Sequence, residues 1–134
     1  MSFVHRETVR FRDLDSLAHM NNAVYATFLE QARIAFLSQH GAHVENMILA
    51  RLEIDFRSPA ELGETIEIAV TPTRVGTKSF DLEYVMRAGD RVVAEAKTVL
   101  VAYDYESARS IEIPDEWKAQ LTCKQQNPLS KAVC

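Results

Sequence analysis

Hydrophobic and polar residues change their spacing along this chain, and each change marks an element. From Ala23 to about His40, apolar residues recur every three or four positions: Val24, Tyr25, Phe28, Leu29, Ala32, Ala35 and Phe36, with Ile34 and Leu37 widening the stripe. This is the spacing of one face of an α-helix of about five turns. Asn21 or Asn22 fits the N-cap, and Gly41 fits the left-handed residue beyond the last turn. A stripe this broad has to be covered on more than one side, so the helix belongs inside other elements.

Elsewhere the period is two. Val4 to Phe11 reads as a short strand. Ile48 to Phe56 places Ile48, Ala50, Leu52, Ile54 and Phe56 on one face and Leu49, Arg51, Glu53 and Asp55 on the other. Ser58-Pro59 and Leu62-Gly63 punctuate a turn, after which Thr65 to Val75 alternates through Ile66, Ile68 and Val70. Gly76 offers the next turn, and Ser79 to Met86 alternates through Phe80, Leu82, Tyr84 and Met86. Ala88-Gly89-Asp90 is a hairpin signal, and Arg91 to Tyr103 is apolar enough for a central strand. Ile113-Pro114 opens a short helix with Pro114 at its first position.

The order is one strand, one long helix, then four consecutive hairpin-linked strands. An α+β fold follows, with an antiparallel sheet of about five strands wrapped around one long central helix. The domain is expected over residues 1–123, with 124–134 as a frayed C-terminal tail. In this arrangement the last strand of the sheet is left as a pairing edge, which favours dimerisation through edge or helix contacts.

With 134 residues, 47% of them hydrophobic, the chain is long enough for one domain with its own core. A net charge of −4 gives no overall attraction to nucleic acid or anionic membrane. No run approaches the roughly 18 apolar residues of a transmembrane helix, and the first residues lack the apolar core of a signal peptide. Two cysteines, Cys123 and Cys134, are too few for a disulfide framework or a four-ligand zinc site. The expectation is a cytoplasmic protein without membrane or nucleic-acid partners.

Candidate chemistry concentrates between Arg12 and Asn22, where Asp13, Asp15, His19, Asn21 and Asn22 precede the helix. A carboxylate there stands beside the positive end of a long helix, whose free N–H groups can polarise a carbonyl. It can then act as general base toward water or as a nucleophile. The plainer alternative is that these residues cap the helix and turn the loop. Three metal readings are weak: Asp13-x-Asp15 lacks the glycine and terminal glutamate of a calcium loop, His19 with Asp13 and Asp15 is a thin divalent set, and His40 with His43 is an isolated pair. Glu30 and Arg33, three apart on the helix, read as an ordinary surface ion pair. Arg74, Lys78, Arg87 and Arg91 flank turns, where they either meet a nucleotide phosphate or simply stay solvated.

The run Phe11-Arg-Asp-Leu-Asp15-Ser-Leu-Ala-His19-Met-Asn21-Asn22-Ala-Val-Tyr25, continued by Phe28-Leu29-Glu30-Gln31-Ala32-Arg33, resembles the hotdog-fold acyl-CoA thioesterases, most closely the 4-hydroxybenzoyl-CoA thioesterase-like branch. Leu52-Glu53-Ile54-Asp55-Phe56-Arg57-Ser58-Pro59-Ala60, Leu62-Gly63-Glu64, Arg74-Val75-Gly76 and Ile113-Pro114 match in the same order. The resemblance implies hydrolysis of an acyl-CoA to a free acid and CoA, without metal or organic cofactor. It places the catalytic carboxylate on Asp15, with carbonyl-polarising amides around Asn22 and Ala23. His19 then tunes Asp15, orders water or braces the loop, while Tyr25 packs the acyl pocket, with Asn21, Arg74 and Lys78 on the substrate side. It also implies a site between two protomers, hence a homodimer that can pair further into a homotetramer. Two other classes stay open: a non-catalytic acyl-thioester binder, and an enoyl-CoA hydratase of the same fold.

Overall fold

The structure, a computed structural model, describes residues 3–39 and 46–122. Its elements are β1 (Phe3–Thr8), α1 (Asn22–Gln39), β2 (Met47–Phe56), β3 (Thr65–Val75), β4 (Ser79–Ala88), β5 (Arg91–Asp104), β6 (Arg109–Ser110) and α2 (Asp115–Thr122). A single 3-10 turn, Phe11–Asp13, separates β1 from the loop that leads into α1. Gly41, His40 and His43, and the tail with Cys123 and Cys134, lie outside the described residues.

The sheet is antiparallel in the order β1-β3-β4-β5-β2, and the short β6 pairs with the end of β5. Strands β3, β4 and β5 follow one another as hairpins, as their alternation predicts. The connection from β2 to β3 departs from the expectation of four hairpin-linked strands. β2 pairs with β5 on one side of the sheet, whereas β3 lies between β1 and β4. Residues 57–64 therefore cross the sheet by three strand spacings, roughly 14 Å. Alternation reports which face a residue takes and says nothing about which strand lies beside it. In consequence β5 is interior, and the free edges are β1 and β2.

A bulge corrects the reading of β2. Leu49 stands opposite Leu100 and Arg51 opposite Val99, leaving Ala50 without a partner. Residues directly opposite share a face, so Met47 and Leu49 join Leu52, Ile54 and Phe56 on the side of the helix. Strict alternation would have sent Leu49 outward.

α1 lies against this face, burying Tyr25, Phe28, Leu29, Ala32, Phe36 and Leu37. Ile34, placed in the stripe by spacing, is instead exposed at the helix's open flank toward β2. Phe36 meets Phe3 of β1 edge to face at 5.6 Å between ring centroids. Arg33 is not the surface residue that its spacing from Glu30 suggests. Its side chain is only 9% exposed, and its Nη2 stands 3.9 Å from the carboxylate of the exposed Glu30. The guanidinium lies near Tyr84, whose hydroxyl is hydrogen-bonded to Thr98 Oγ1 at 2.7 Å. A polar cluster thus sits under the helix, inside an apolar core. Pro114 stands just before α2 rather than at its first position, and its carbonyl accepts the Trp117 and Lys118 amides at 3.0 and 3.1 Å.

Candidate active site

Beyond β1 the chain closes onto the β2–β3 connection: the Val9 amide donates to Glu64 O, and the Gly63 amide donates to Val9 O, both at 2.9 Å. The two aspartates that follow have different surroundings. Asp13 is buried, and its carboxylate accepts the Arg10 amide at 2.8 Å and the Arg10 guanidinium at 3.0 and 3.1 Å. Those side-chain bonds, followed by the amide and the Arg10 charge, outweigh burial and hold the Asp13 carboxyl below its usual range. Every part of this group is engaged in bracing the turn.

Asp15 sits inside a small closed loop. Leu14 and Met20 form a β-bridge at its base, the Asp15 amide donates to His19 O at 2.8 Å, and the Ala18 amide donates to Asp15 O at 3.0 Å. Ala18 turns the loop with φ +63°, in the left-handed region. Asp15 Oδ1 accepts the Leu17 amide at 2.8 Å and the His19 amide at 3.3 Å. Its Oδ2 has no hydrogen-bond partner among the described residues. The carboxylate is thus held by one oxygen, and the other is available. His19 acts here through its backbone, bracing the loop; its ring makes no hydrogen bond among the described residues.

Asn21 is the N-cap of α1. Its Oδ1 accepts the Ala23 amide at 2.9 Å, its carbonyl accepts the Val24 amide at 2.9 Å, and its own amide donates to Asp13 O at 2.8 Å. Neither aspartate caps the helix. The Ala23 amide, expected to polarise a carbonyl, is already bonded to the Asn21 side chain. The Asn22 amide, first of an 18-residue helix, has no acceptor among the described residues. It is the open donor at the helix's positive end. Tyr25, one turn on, is buried; its hydroxyl donates to Ser58 O at 3.4 Å and its ring meets Phe56 edge to face at 5.0 Å. Burial raises the pKa of this phenol above the ordinary tyrosine value, so it is a neutral packing and hydrogen-bonding group.

Arg74 and Lys78 are not brought to Asp15 within one chain. β3 begins at Thr65, opposite Thr8 beside the Asp15 loop, and runs away to Val75, roughly 30 Å along the strand. Arg74 Nη2 is bonded to Ser79 Oγ at 2.7 Å and to Asp81 Oδ1 at 2.8 Å, while Lys78 is exposed. A cavity of about 280 Å³ opens between α1 and β2, lined by residues including Glu30, Arg33, Leu37 and Leu49. It lies two to four helical turns beyond Asn22, away from Asp15. Among the described residues, no three His, Cys, Asp or Glu side chains are grouped to hold a metal ion. No helix of those residues is long and apolar enough to cross a membrane.

One set of residues near the site escapes sequence reasoning. Arg91, which sequence offers as a phosphate contact or a solvated turn charge, is bonded to Glu64 at 2.7 and 2.9 Å, beside the segment that supports the Asp15 loop. The two are 27 positions apart and share no local pattern.

Comparison with known proteins identifies the family and the fold. The profile of the Thioesterase-like superfamily matches residues 9–121, which include the whole Asp15 loop and the helix. A 1,4-dihydroxy-2-naphthoyl-CoA hydrolase of Nostoc punctiforme is 27% identical over 124 residues, spanning 87% of this chain and 84% of its own. The long-chain acyl-CoA thioesterase FadM of Escherichia coli is 29% identical over 121 residues, spanning 84% of this chain and 92% of its own. A thioesterase of Thermus thermophilus, crystallised with coenzyme A and zinc, superimposes with a TM-score of 0.81 at 30% identity, covering 88% of this chain and 90% of that one. The chain belongs to the Thioesterase-like superfamily, and it is a hotdog-fold thioester hydrolase.

Proposed function

We propose that the protein hydrolyses acyl-CoA thioesters as a cytoplasmic homodimer, with Asp15 as its general base. The observation that carries this reading is the Asp15 carboxylate, fixed through Oδ1 and open at Oδ2, in the loop that leads into the helix end bearing the free Asn22 amide. Asp15 Oδ2 takes a proton from water, and the water oxygen attacks the thioester carbon. The carbonyl oxygen gains negative charge as it does so, and the Asn22 N–H with the helix dipole stabilises that charge. Collapse breaks the carbon–sulfur bond; the thiolate leaves and receives the proton from Asp15, giving a carboxylic acid and CoA. His19 holds the loop through its backbone, and Tyr25 and Asn21 shape the wall and the helix cap. Support for a CoA thioester as substrate comes from the two named relatives and the CoA-bound structure.

The second protomer is argued from the free β2 edge. Ile34, Leu49, Leu52 and Phe56 are 36–48% exposed along the open side between α1 and β2, more apolar surface than an edge strand ordinarily leaves in water. Two copies paired antiparallel through β2 cover it. Such pairing inverts the ends of the sheet, so the other copy's Arg74 and Lys78 end lies toward this copy's Asp15. That is the arrangement in which those two cations serve CoA phosphate.

The test is CoA release from short, long-chain and aromatic acyl-CoAs, read by chromatography because Cys123 and Cys134 would react with thiol dyes. Wild type releases CoA and Asp15→Asn releases it at least a hundredfold more slowly; no release by the folded wild type from any acyl-CoA overturns the reading in favour of a binding protein. In a single turnover in ¹⁸O-water the label appears in the product acid. Label on the enzyme instead would make Asp15 the nucleophile.

A further inference from the structure

Arg91 is the first residue of β5, directly after the turn in which Gly89 takes φ +62°. Its Nη2 reaches both Glu64 oxygens, at 2.7 and 2.9 Å, and Pro59 O at 3.2 Å, while its Nε reaches Ser58 Oγ at 3.3 Å. One guanidinium therefore grips both ends of the connection between β2 and β3. Ser58 Oγ in turn donates to Val92 O at 2.8 Å, and the Arg57 and Ser58 amides share Val93 O at 2.9 and 3.3 Å. Inside the gripped segment, the Glu61 amide donates to Glu64 Oε1 at 2.8 Å.

The other side of the same segment carries the active-site loop. Ala60, fully buried, accepts the Met20 amide at 2.8 Å, and Met20 forms the base of the Asp15 loop with Leu14. Ser58 O accepts the Tyr25 hydroxyl, and Glu64 O accepts the Val9 amide. Hence the loop that holds Asp15 hangs on residues 58–64; the Val92 and Val93 carbonyls hold the start of that segment, and among the described residues Arg91 alone joins its start to Glu64. Asp15's own bonds close its loop but do not fix where the loop stands relative to the helix end. A shift of the support moves Oδ2 against the Asn22 amide, and misplacement of about 1 Å in a reacting constellation can cost on the order of a hundredfold.

We infer that Arg91 is a positioning residue for Asp15, acting through residues 58–64 and gripping them by the forked geometry of its guanidinium. This rests on Asp15 being the catalytic carboxylate. Lysine offers one nitrogen in place of Nη2, toward Glu64 and Pro59 O, and has no counterpart of the Nε that reaches Ser58 Oγ. Arg91 acts through the support and not through contact with substrate, so kcat is the constant it affects.

The experiment uses full-length Arg91→Met, which keeps the length of the stem, and Arg91→Lys. Each is made alone and on Asp15→Asn, and assayed for acyl-CoA hydrolysis at a temperature where circular dichroism shows all of them folded. Arg91→Met lowers kcat at least tenfold and changes KM less than threefold, and Arg91→Lys restores no more than part of the loss. On the Asp15→Asn background, Arg91→Met causes no further loss, because a misplaced base that has already been removed cannot be lost twice. A kcat within twofold of wild type in Arg91→Met overturns the inference, as does an equal fold-loss on both backgrounds. If Arg91→Met does not fold, Arg91→Lys is judged by the same two criteria. Wild-type turnover by Asp15→Asn itself would instead remove the reading of Asp15, a result that no Arg91 variant can produce.

Discussion

Replacing each of the two loop aspartates by asparagine separates support from chemistry, because the structure loads them differently. Asp13 is 3% exposed and accepts three bonds from Arg10 within 2.8–3.1 Å. Asparagine offers one acceptor oxygen in place of two and turns an NH₂ toward donors, so at least one Arg10 bond is lost and a buried donor is left opposite another. Hydrogen bonds to charged groups contribute roughly 1.5–3 kcal/mol each, and Arg10 is half exposed, which sets the lower end as the figure to use. Asp13→Asn should thus cost about 2 kcal/mol, a fall in Tm of roughly 6–10 °C for a chain of this size. At a temperature where the variant is folded, its kcat stays within a fewfold of wild type.

Asp15→Asn has the opposite signature. The asparagine Oδ1 keeps the acceptor that the Leu17 and His19 amides use, so the loop stays closed and Tm moves by less than about 3 °C. What disappears is the basic oxygen, and kcat falls at least a hundredfold, about 2.7 kcal/mol of transition-state stabilisation. Thermal melts and steady-state CoA release on the same preparations provide both readouts. Equal losses of kcat in the two folded variants would refute the division of labour, and so would a large loss of stability in Asp15→Asn with turnover intact.

Acid should unfold the protein through its bound carboxylates. The Asp13 carboxyl is held below its ordinary value by Arg10; burial pushes Glu64 up, but the Arg91 bonds, the Glu61 amide and the Arg91 charge hold it below as well. Stability from such groups is present above the unfolded carboxylate range of about 4 and is lost as pH falls through the lower folded values. In urea titrations the gap between wild type and Asp13→Asn therefore narrows below about pH 4, and a gap that widens there contradicts the assignment. In the polar cluster under the helix, Tyr84→Phe and Thr98→Val each strand a buried partner and cost roughly 1–3 kcal/mol, while the double variant costs less than their sum. Additive losses in a denaturation cycle would mean that the 2.7 Å bond carries no coupling. At the free edge, Leu52→Glu should shift the protein to monomer in sedimentation and lower CoA release with it; a dimer of undiminished activity would move the contact away from β2.

The elements were legible in the chain because each states its own period: three to four in the long helix, two in the strands. Faces within a strand follow from that period, but neighbours do not. β2 therefore took its place beside β5 without a signal, and the bulge at Ala50 reversed the side assigned to Leu49. Arg33 misled for a related reason. Its spacing from Glu30 is that of an exposed pair, yet the helix is rotated so that position 33 faces Tyr84.

The candidate site divides along the same line. Its working loop is made of short-range bonds: Asn21 to Ala23, and Asp15 to Leu17 and His19, spanning two to four positions. Short-range chemistry of this kind can be read from adjacent residues, and so the run from Phe11 to Tyr25 pointed to its family on its own. Spacing alone did not tell Asp13 from Asp15, because both carboxylates precede the helix; the Arg10 bonds distinguish them by occupying one and leaving the other. The support of the loop is long-range, reaching 33 positions from Tyr25 to Ser58 and 27 from Glu64 to Arg91. Nothing near Arg91 in the chain marks it, since its partners meet it only after the sheet has formed. Substitution of Asp15 itself should therefore change what the loop can do, whereas changes in the long-range support should change where Asp15 stands, and only the first is visible in the loop's own sequence.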